Sequence, residues 1–270
     1  MAKQPSRKPS KIRPVPIQQM RTPPALVCQR EFRQAHADQI AAALDLNKLG
    51  YPIINHRDGI NWIVDGQHRV DALRQNGFEK DVLDCEVYED LSDAEMAEIF
   101  LGRDARKPIP LYDKFHVACT AGRKRERDIQ RAIEVNGQKI GRNREDGISA
   151  LGAVGKVYDR SGEVVLGQVI RTINLAFGGD SMAFDRDVIE GLGLVYNRYN
   201  GRTNEKQLGA KLGALRQGAR ELLRKAESTR AKTGNLKKQC VAAAVVDIYN
   251  RGEGTRSKDR LPSWWKEAAD

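Results

Sequence analysis

Strand-forming sequence is confined to roughly the first 122 residues of this 270-residue chain, and amphipathic helices fill the rest. Residues 36–46 read as a short helix with Ile40, Ala43 and Leu44 on one face. Two β-rich runs around Asp58-Gly59 then form a hairpin, because Asp-Gly supplies the positive φ values of a two-residue turn. Residues 70–76 read as a helix closed by Gly77, and residues 82–88 as a half-buried strand. Ser92-Asp-Ala-Glu95 is a capping box that opens a further helix. Beyond Arg123, helical stretches at about 125–135, 147–159, 163–177, 184–199, 204–228 and 235–250 are separated by turns such as Ser161-Gly162 and Asn200-Gly201. The fold class that follows is α+β, a small mixed sheet with helices over residues 25–122 and an all-α domain over 123–270.

Charge is distributed unevenly. Lys and Arg number 46 against 36 Asp and Glu, for a net charge of +10. Residues 1–34 hold eight basic residues and one acid, and residues 206–238 hold ten basic residues and two acids. The remaining sequence is slightly acidic. Residues 1–24 also carry six of the ten prolines and few large apolar side chains, so they read as an extended, mobile arm that either lies along phosphates or solubilises the protein. Within the second basic segment Arg216, Arg220 and Arg224 recur every four residues, with Lys225 beside them and Leu212, Leu215, Leu222 and Leu223 turned to the core. Such a stripe suits the phosphates of DNA, where it gives salt-sensitive and largely sequence-independent affinity. Arg230, Lys232, Lys237 and Lys238 extend it.

The sharpest local feature is Val64-Asp65-Gly66-Gln67-His68-Arg69-Val70. A strand runs through a glycine turn directly into a helix, which directs free backbone amides and the positive helix end at one spot, as an anion site requires. His68 and Arg69 bring positive charge and a bidentate donor fork. Asp65 either holds the turn, ligates a metal or acts as a base. By residue type alone the same pattern also reads as an ordinary turn with a structural His and Arg.

The order of elements around this D-G-Q-H-R core, over residues 25–122, resembles the N-terminal domain of the ParB/sulfiredoxin superfamily. The whole chain, including Phe100-Leu-Gly-Arg-Asp-Ala-Arg-Lys, Leu111-Tyr-Asp-Lys-Phe and Glu190-Gly-Leu-Gly-Leu, is similar to ParB-like proteins of actinobacteria and their phages. In that superfamily the equivalent loop holds nucleotide phosphates in partition proteins, carries a nucleophilic Cys in sulfiredoxins, and serves kinases and nucleases. The resemblance implies a phosphate site at Gly66, Gln67, His68 and Arg69, with Arg30 facing the loop and Arg103 and Arg106 adding charge from a second motif. Arg103 and Arg106 read rather more readily as a solvated helix end. Gln67 stands where sulfiredoxins have their Cys, and an amide is no substitute for a thiolate nucleophile, so sulfiredoxin activity is excluded. The Glu-Asn pair that helps hold the metal in partition proteins is missing.

The expected protein is therefore a DNA-associated ParB-like protein that binds a nucleotide, with its Mg2+, or a phosphate group at this loop and DNA through the basic helices. The alternative is a nuclease or nucleotide-dependent phosphotransferase with Asp65, His68 and Arg69 as catalytic residues. The scattered histidines show no metal-ligand spacing. The four cysteines form no C-x-x-C pair, and the N-terminus lacks the apolar core of a secretory signal, which fits a reducing cytoplasm. The longest apolar run, residues 240–246, is too short to cross a bilayer. Trp264 and Trp265 either pin the tail to the core or contact a second subunit, so a homo-oligomer stays open.

Overall fold

A computed structural model describes residues 8–25, 27–102, 109–178, 180, 182–252 and 258–265. The chain divides after Glu126 into two compact units. The first contains β1 (Lys11–Pro16), β2 (Met20–Arg21), α1 (Gln34–Ala42), β3 (Ile53–Arg57), β4 (Ile60–Asp65), α2 (Gln67–Gln75), β5 (Val82–Glu89), α3 (Asp93–Gly102) and α4 (Leu111–Thr120). Helix α5 (Lys124–Val135) crosses the division. The second unit contains α6 (Leu151–Phe177), α7 (Arg186–Arg198), α8 (Glu205–Gly213), α9 (Gly218–Thr233) and α10 (Lys237–Tyr249).

The five strands form one sheet in the order β1-β5-β3-β4-β2. It is mixed: β1/β5 and β3/β4 are antiparallel, β3/β5 and β2/β4 parallel. The β3–β4 hairpin turns on Asp58 at φ 54° and Gly59 at φ 74°, the left-handed pair that matches strand twist. Helix α2 stops where Gly77 takes φ 84°. The capping box forms as read: Ser92 N donates to Glu95 Oε2 at 2.8 Å, and Glu95 N donates to Ser92 Oγ at 3.3 Å. Side chains of alternate parity leave the sheet on opposite faces. Ile54, Ile63, Cys85 and Val87 meet Val70 and Leu73 of α2. Ile53, Val64 and Tyr88 meet Met96, Ala97 and Phe100 of α3 and Val117 of α4. The α+β class read from the sequence is the architecture observed.

Three readings need correction. Residues 11–16, assigned to a mobile arm, form strand β1, with Lys11 to Pro16 in register against Val87 to Val82 and Val15 buried. Pairing with a central strand supplies the burial that the segment's own composition lacks. The single helix expected over 204–228 is two helices, because the chain turns at residues 214–217 and restarts at Gly218 with φ 53°. Helix α1 ends at Ala42, since Asp45 accepts from Asn47 N at 3.0 Å and caps a separate 3-10 turn.

In the second unit, α6 is broken at Gly162 (φ 78°, ψ −178°), as the Ser161-Gly162 turn predicted. The Glu190-Gly-Leu-Gly-Leu segment lies in α7 and serves packing. A β-carbon on Gly191 would sit 2.5 Å from Val241 Cγ1 of α10, and one on Gly193 would sit 2.6 Å from Val157 Cγ2 of α6. Glycine thus lets α7 approach both neighbours. Glu190, buried, accepts from Lys238 Nζ at 2.7 Å and Lys156 Nζ at 3.0 Å, tying the same three helices. The tail is held as one of the two readings proposed: the Arg198 guanidinium lies 4.9 Å from the Trp264 ring, and Asn250 exchanges two 2.9 Å hydrogen bonds with the Leu261 backbone.

Gly191→Ala should cost about 1–3 kcal/mol through overpacking, read as a drop in melting temperature. Burial alone would raise the Glu190 carboxyl, but the hydrogen bonds from Lys238 and Lys156 outweigh it and hold the group below the usual Glu range. Its ion pairs therefore stabilise fully above the unfolded pKa and fade as pH falls through the folded one. Glu190→Gln should be less stable than the wild type at neutral pH, and the gap should shrink toward about pH 3 in parallel denaturation curves.

Candidate anion site and basic helix

Asp65 ends β4, and Gly66 turns the chain at φ 104° into α2. The N-cap of α2 is Gly66, which has no side chain with which to cap the first turn, so the positive end of the helix dipole lies at this turn. A β-carbon on Gly66 would lie 3.0 Å from Arg69 Nη2 and 3.2 Å from Pro52 Cβ. The Arg69 side chain has folded back over the turn that starts its own helix. It is fixed there from two sides: Nη2 donates to Asp65 Oδ2 at 3.0 Å, and Nη1 donates to Leu49 O. Asp65 and Arg69 are both partly exposed, at 33% and 21% of their side chains, so the pair faces solvent at one side.

Gln67 and His68 are buried and point the other way in function. The Gln67 amide donates to Arg30 O at 2.8 Å. His68 Nε2 accepts from Arg33 N at 3.0 Å, its ring stacks on Phe32 at 5.0 Å between centroids, and His36 lies 4.9 Å away. An imidazole nitrogen that accepts a hydrogen bond carries no proton at that position. Through Nε2 His68 fastens the Arg33 backbone to the start of α2, so this nitrogen is not the atom that would meet a phosphate or act as acid or base. Arg30 meets the loop through its main-chain carbonyl, which accepts from Gln67. The main chain of segment 30–33 is thereby fastened to the start of α2.

Arg103 and Arg106 lie outside the described residues. Asp65, Gly66, Gln67, His68, Arg69 and Arg30 come together. Arg33, Phe32, Leu49 and Pro52 also belong to this site and were not read from the sequence; the extended Tyr51-Pro52 pair after Gly50 was the one available signal. Asp65 is the sole carboxylate of the turn and is already ion-paired, so the loop is a poor fit for a protein-held Mg2+. Among the described residues no group of three or more His, Cys, Asp or Glu side chains could hold a metal. Burial pushes the Cys28 and Cys85 thiols up to about 12, which leaves neither as a nucleophile.

In the second unit the arginine stripe is narrower than read. Arg216 lies in the turn before α9, while Arg220 and Arg224 share one exposed face of it. Among the described residues these three arginines have no carboxylate at salt-bridge distance. Lys225 pairs with Glu221 at 3.2 Å, Arg230 and Lys237 pair with Glu227, and Lys238 is committed to buried Glu190. No helix among the described residues is long and apolar enough to cross a membrane.

Residues 23–264 match the model of a family of unknown function, DUF6551. The chain belongs to this family. No curated protein matches it. Two solved structures of the C-terminally truncated chromosome-partitioning protein ParB from Caulobacter crescentus are similar at 14% identity. The one complexed to the centromeric parS site has a TM-score of 0.33 and covers 86% of this chain and 98% of that one. The one complexed with CTP-gamma-S has a TM-score of 0.31 and covers 89% and 98%.

His68→Ala removes the acceptor of the Arg33 amide. Hydrogen exchange at Arg33 should accelerate about five- to tenfold, the factor that corresponds to roughly 1–1.5 kcal/mol for one hydrogen bond. Unchanged protection there would sink the fastening role.

Proposed function

We propose that this is a cytoplasmic DNA-associated protein that holds a nucleotide phosphate at residues 65–69 and contacts DNA through Arg216, Arg220 and Arg224, with Lys225 in a lesser role. The observation that carries the reading is the placement of the Arg69 guanidinium against the glycine start of α2 at Gly66. Backbone amides of Gly66 and Gln67 and the remaining N–H donors of Arg69 would receive phosphate oxygens, with Arg30, Arg33, Arg103 and Arg106 as further candidates. Asp65 aims Arg69. Any Mg2+ would arrive on the nucleotide's own phosphates. The resemblance of the D-G-Q-H-R junction to the ParB/sulfiredoxin loop points the same way. At the start of α9 the support is electrostatic, since arginines not held in salt bridges release counterions when they meet phosphates.

The reading of this loop as a nuclease or phosphotransferase needs an available acid or base. His68 Nε2 is spent on Arg33 N, and Asp65 is spent on Arg69. Binding without turnover is the better fit.

A thermal-shift screen with ATP, ADP, CTP and GTP, with and without Mg2+, is the direct test. A bound nucleotide at one hundred times its Kd stabilises by about 2.7 kcal/mol, a rise of several degrees, and Arg69→Ala should abolish it. No shift with any of the four would overturn the phosphate site. For DNA, log affinity should fall steeply with log salt, and replacing Arg216, Arg220 and Arg224 by Gln should reduce that slope by about 0.9 for each phosphate no longer neutralised. A flat salt response would overturn the DNA-binding role.

A further inference from the structure

A separate cleft of mixed polar and apolar lining lies at the far end of β4 from the Gly66 turn. It opens beside β2 at the edge of the sheet, has a volume of roughly 530 Å3, and is lined by Gln19, Arg21, Thr22, Gly59, Ile60, Asn61 and Trp62. That size falls in the range of small-ligand sites. Arg21 and Trp62 are direct neighbours in the parallel β2–β4 pairing, so their side chains leave the same face of the sheet next to each other. The half-buried Trp62 packs against the apolar cluster beneath α3 and also lines the cleft. Arg21 is exposed and anchored through one nitrogen: Nη1 donates to Gln18 O at 2.6 Å and Met20 O at 3.1 Å, which leaves Nε and Nη2 uncommitted.

The rest of the lining is rich in unspent hydrogen-bonding groups. Among the described residues the side chains of Gln19, Thr22 and Trp62 make no hydrogen bond within the protein. Asn61 spends Oδ1 on His56 Nδ1 at 2.8 Å and keeps its amide donors. Among the described residues no acidic side chain lines the cleft, and Gly59 leaves open space above it, since a β-carbon there would meet nothing within 4 Å.

The combination is specific in kind. An indole offers a face for a planar ring, a neighbouring guanidinium offers charge to a phosphate, and two carboxamides offer mixed donors and acceptors to a base edge. We propose that this cleft binds an unpaired nucleotide, with the base on Trp62 and its edge on Gln19 and Asn61, and the phosphate on Arg21. The site is independent of the loop at residues 65–69. The same chemistry belongs to a free mononucleotide and to a nucleotide within a single strand, and the two sources are separated by experiment.

The test uses the full chain and its tryptophan fluorescence at low salt, titrated with oligothymidylate and, separately, with thymidine 5′-monophosphate. Oligothymidylate should quench the emission, and Trp62→Phe, which keeps Trp264 and Trp265, should lose that quenching. A Gln19→Ala/Arg21→Gln double variant with an unchanged melting curve should bind about tenfold or more weakly. If the monophosphate saturates the same signal at similar concentration, the ligand is a free nucleotide; if the oligomer alone does so, it is a strand. Absence of quenching in the wild type, quenching that survives in Trp62→Phe, or wild-type affinity in the double variant each overturns the proposal. Loss of nucleotide stabilisation in Arg69→Ala, the outcome that tests the other site, leaves this one unaffected.

Discussion

A single guanidinium organises the N-terminal unit. Arg69 reaches back from the first turn of α2 to Asp65 at the end of β4 and to the Leu49 carbonyl ahead of β3, so one side chain ties a strand end, a helix start and a preceding loop. The position it occupies requires glycine at residue 66 twice over, once for φ 104° and once for the space that Nη2 fills. With the turn fixed, Gln67 and His68 are presented to the backbone of Arg30 and Arg33, and the segment leading into α1 is fastened in place. The candidate anion site and the packing of α1 on α2 thus share one determinant.

How much of this was legible depended on how local the signal was. The Asp58-Gly59 turn, the Ser92–Glu95 capping box and the Gly66 junction are decided within a few residues, and each is where the sequence places it. Strand β1 was hidden because its stability comes from β5, some seventy residues away, while its own composition is that of an unfolded segment. The break between α8 and α9 was hidden by an arginine spacing that happens to keep helical phase across a turn. In the site itself, the residue types were readable and their partners were not. Nothing in D-G-Q-H-R says that the histidine will be spent on a main-chain amide 35 positions earlier.

The helical unit shows the same division between residue type and role. Glu190-Gly-Leu-Gly-Leu has the appearance of a functional motif, yet its glycines remove side chains at two helix contacts, and its glutamate is neutralised by lysines from two other helices. That removes Lys238 from the positive surface. Counting charge along the sequence overstates the surface available to a polyanion. Arg216, Arg220 and Arg224, which form no salt bridge among the described residues, are the informative subset.

The prolines of β1 carry one more consequence. Ile17 N donates to Asp81 O, continuing the ladder with β5, so in an antiparallel pair the odd-numbered residues of β1 turn their backbone groups inward and the even-numbered ones turn theirs out. Pro14 and Pro16 are even. Their missing N–H groups fall on the open rim of the sheet, which leaves Ile12 as the outward donor of the strand. A rim with so few donors is a poor template for a further strand, so the feature that makes this segment look unstructured also keeps the sheet from recruiting a neighbour and growing into an aggregate.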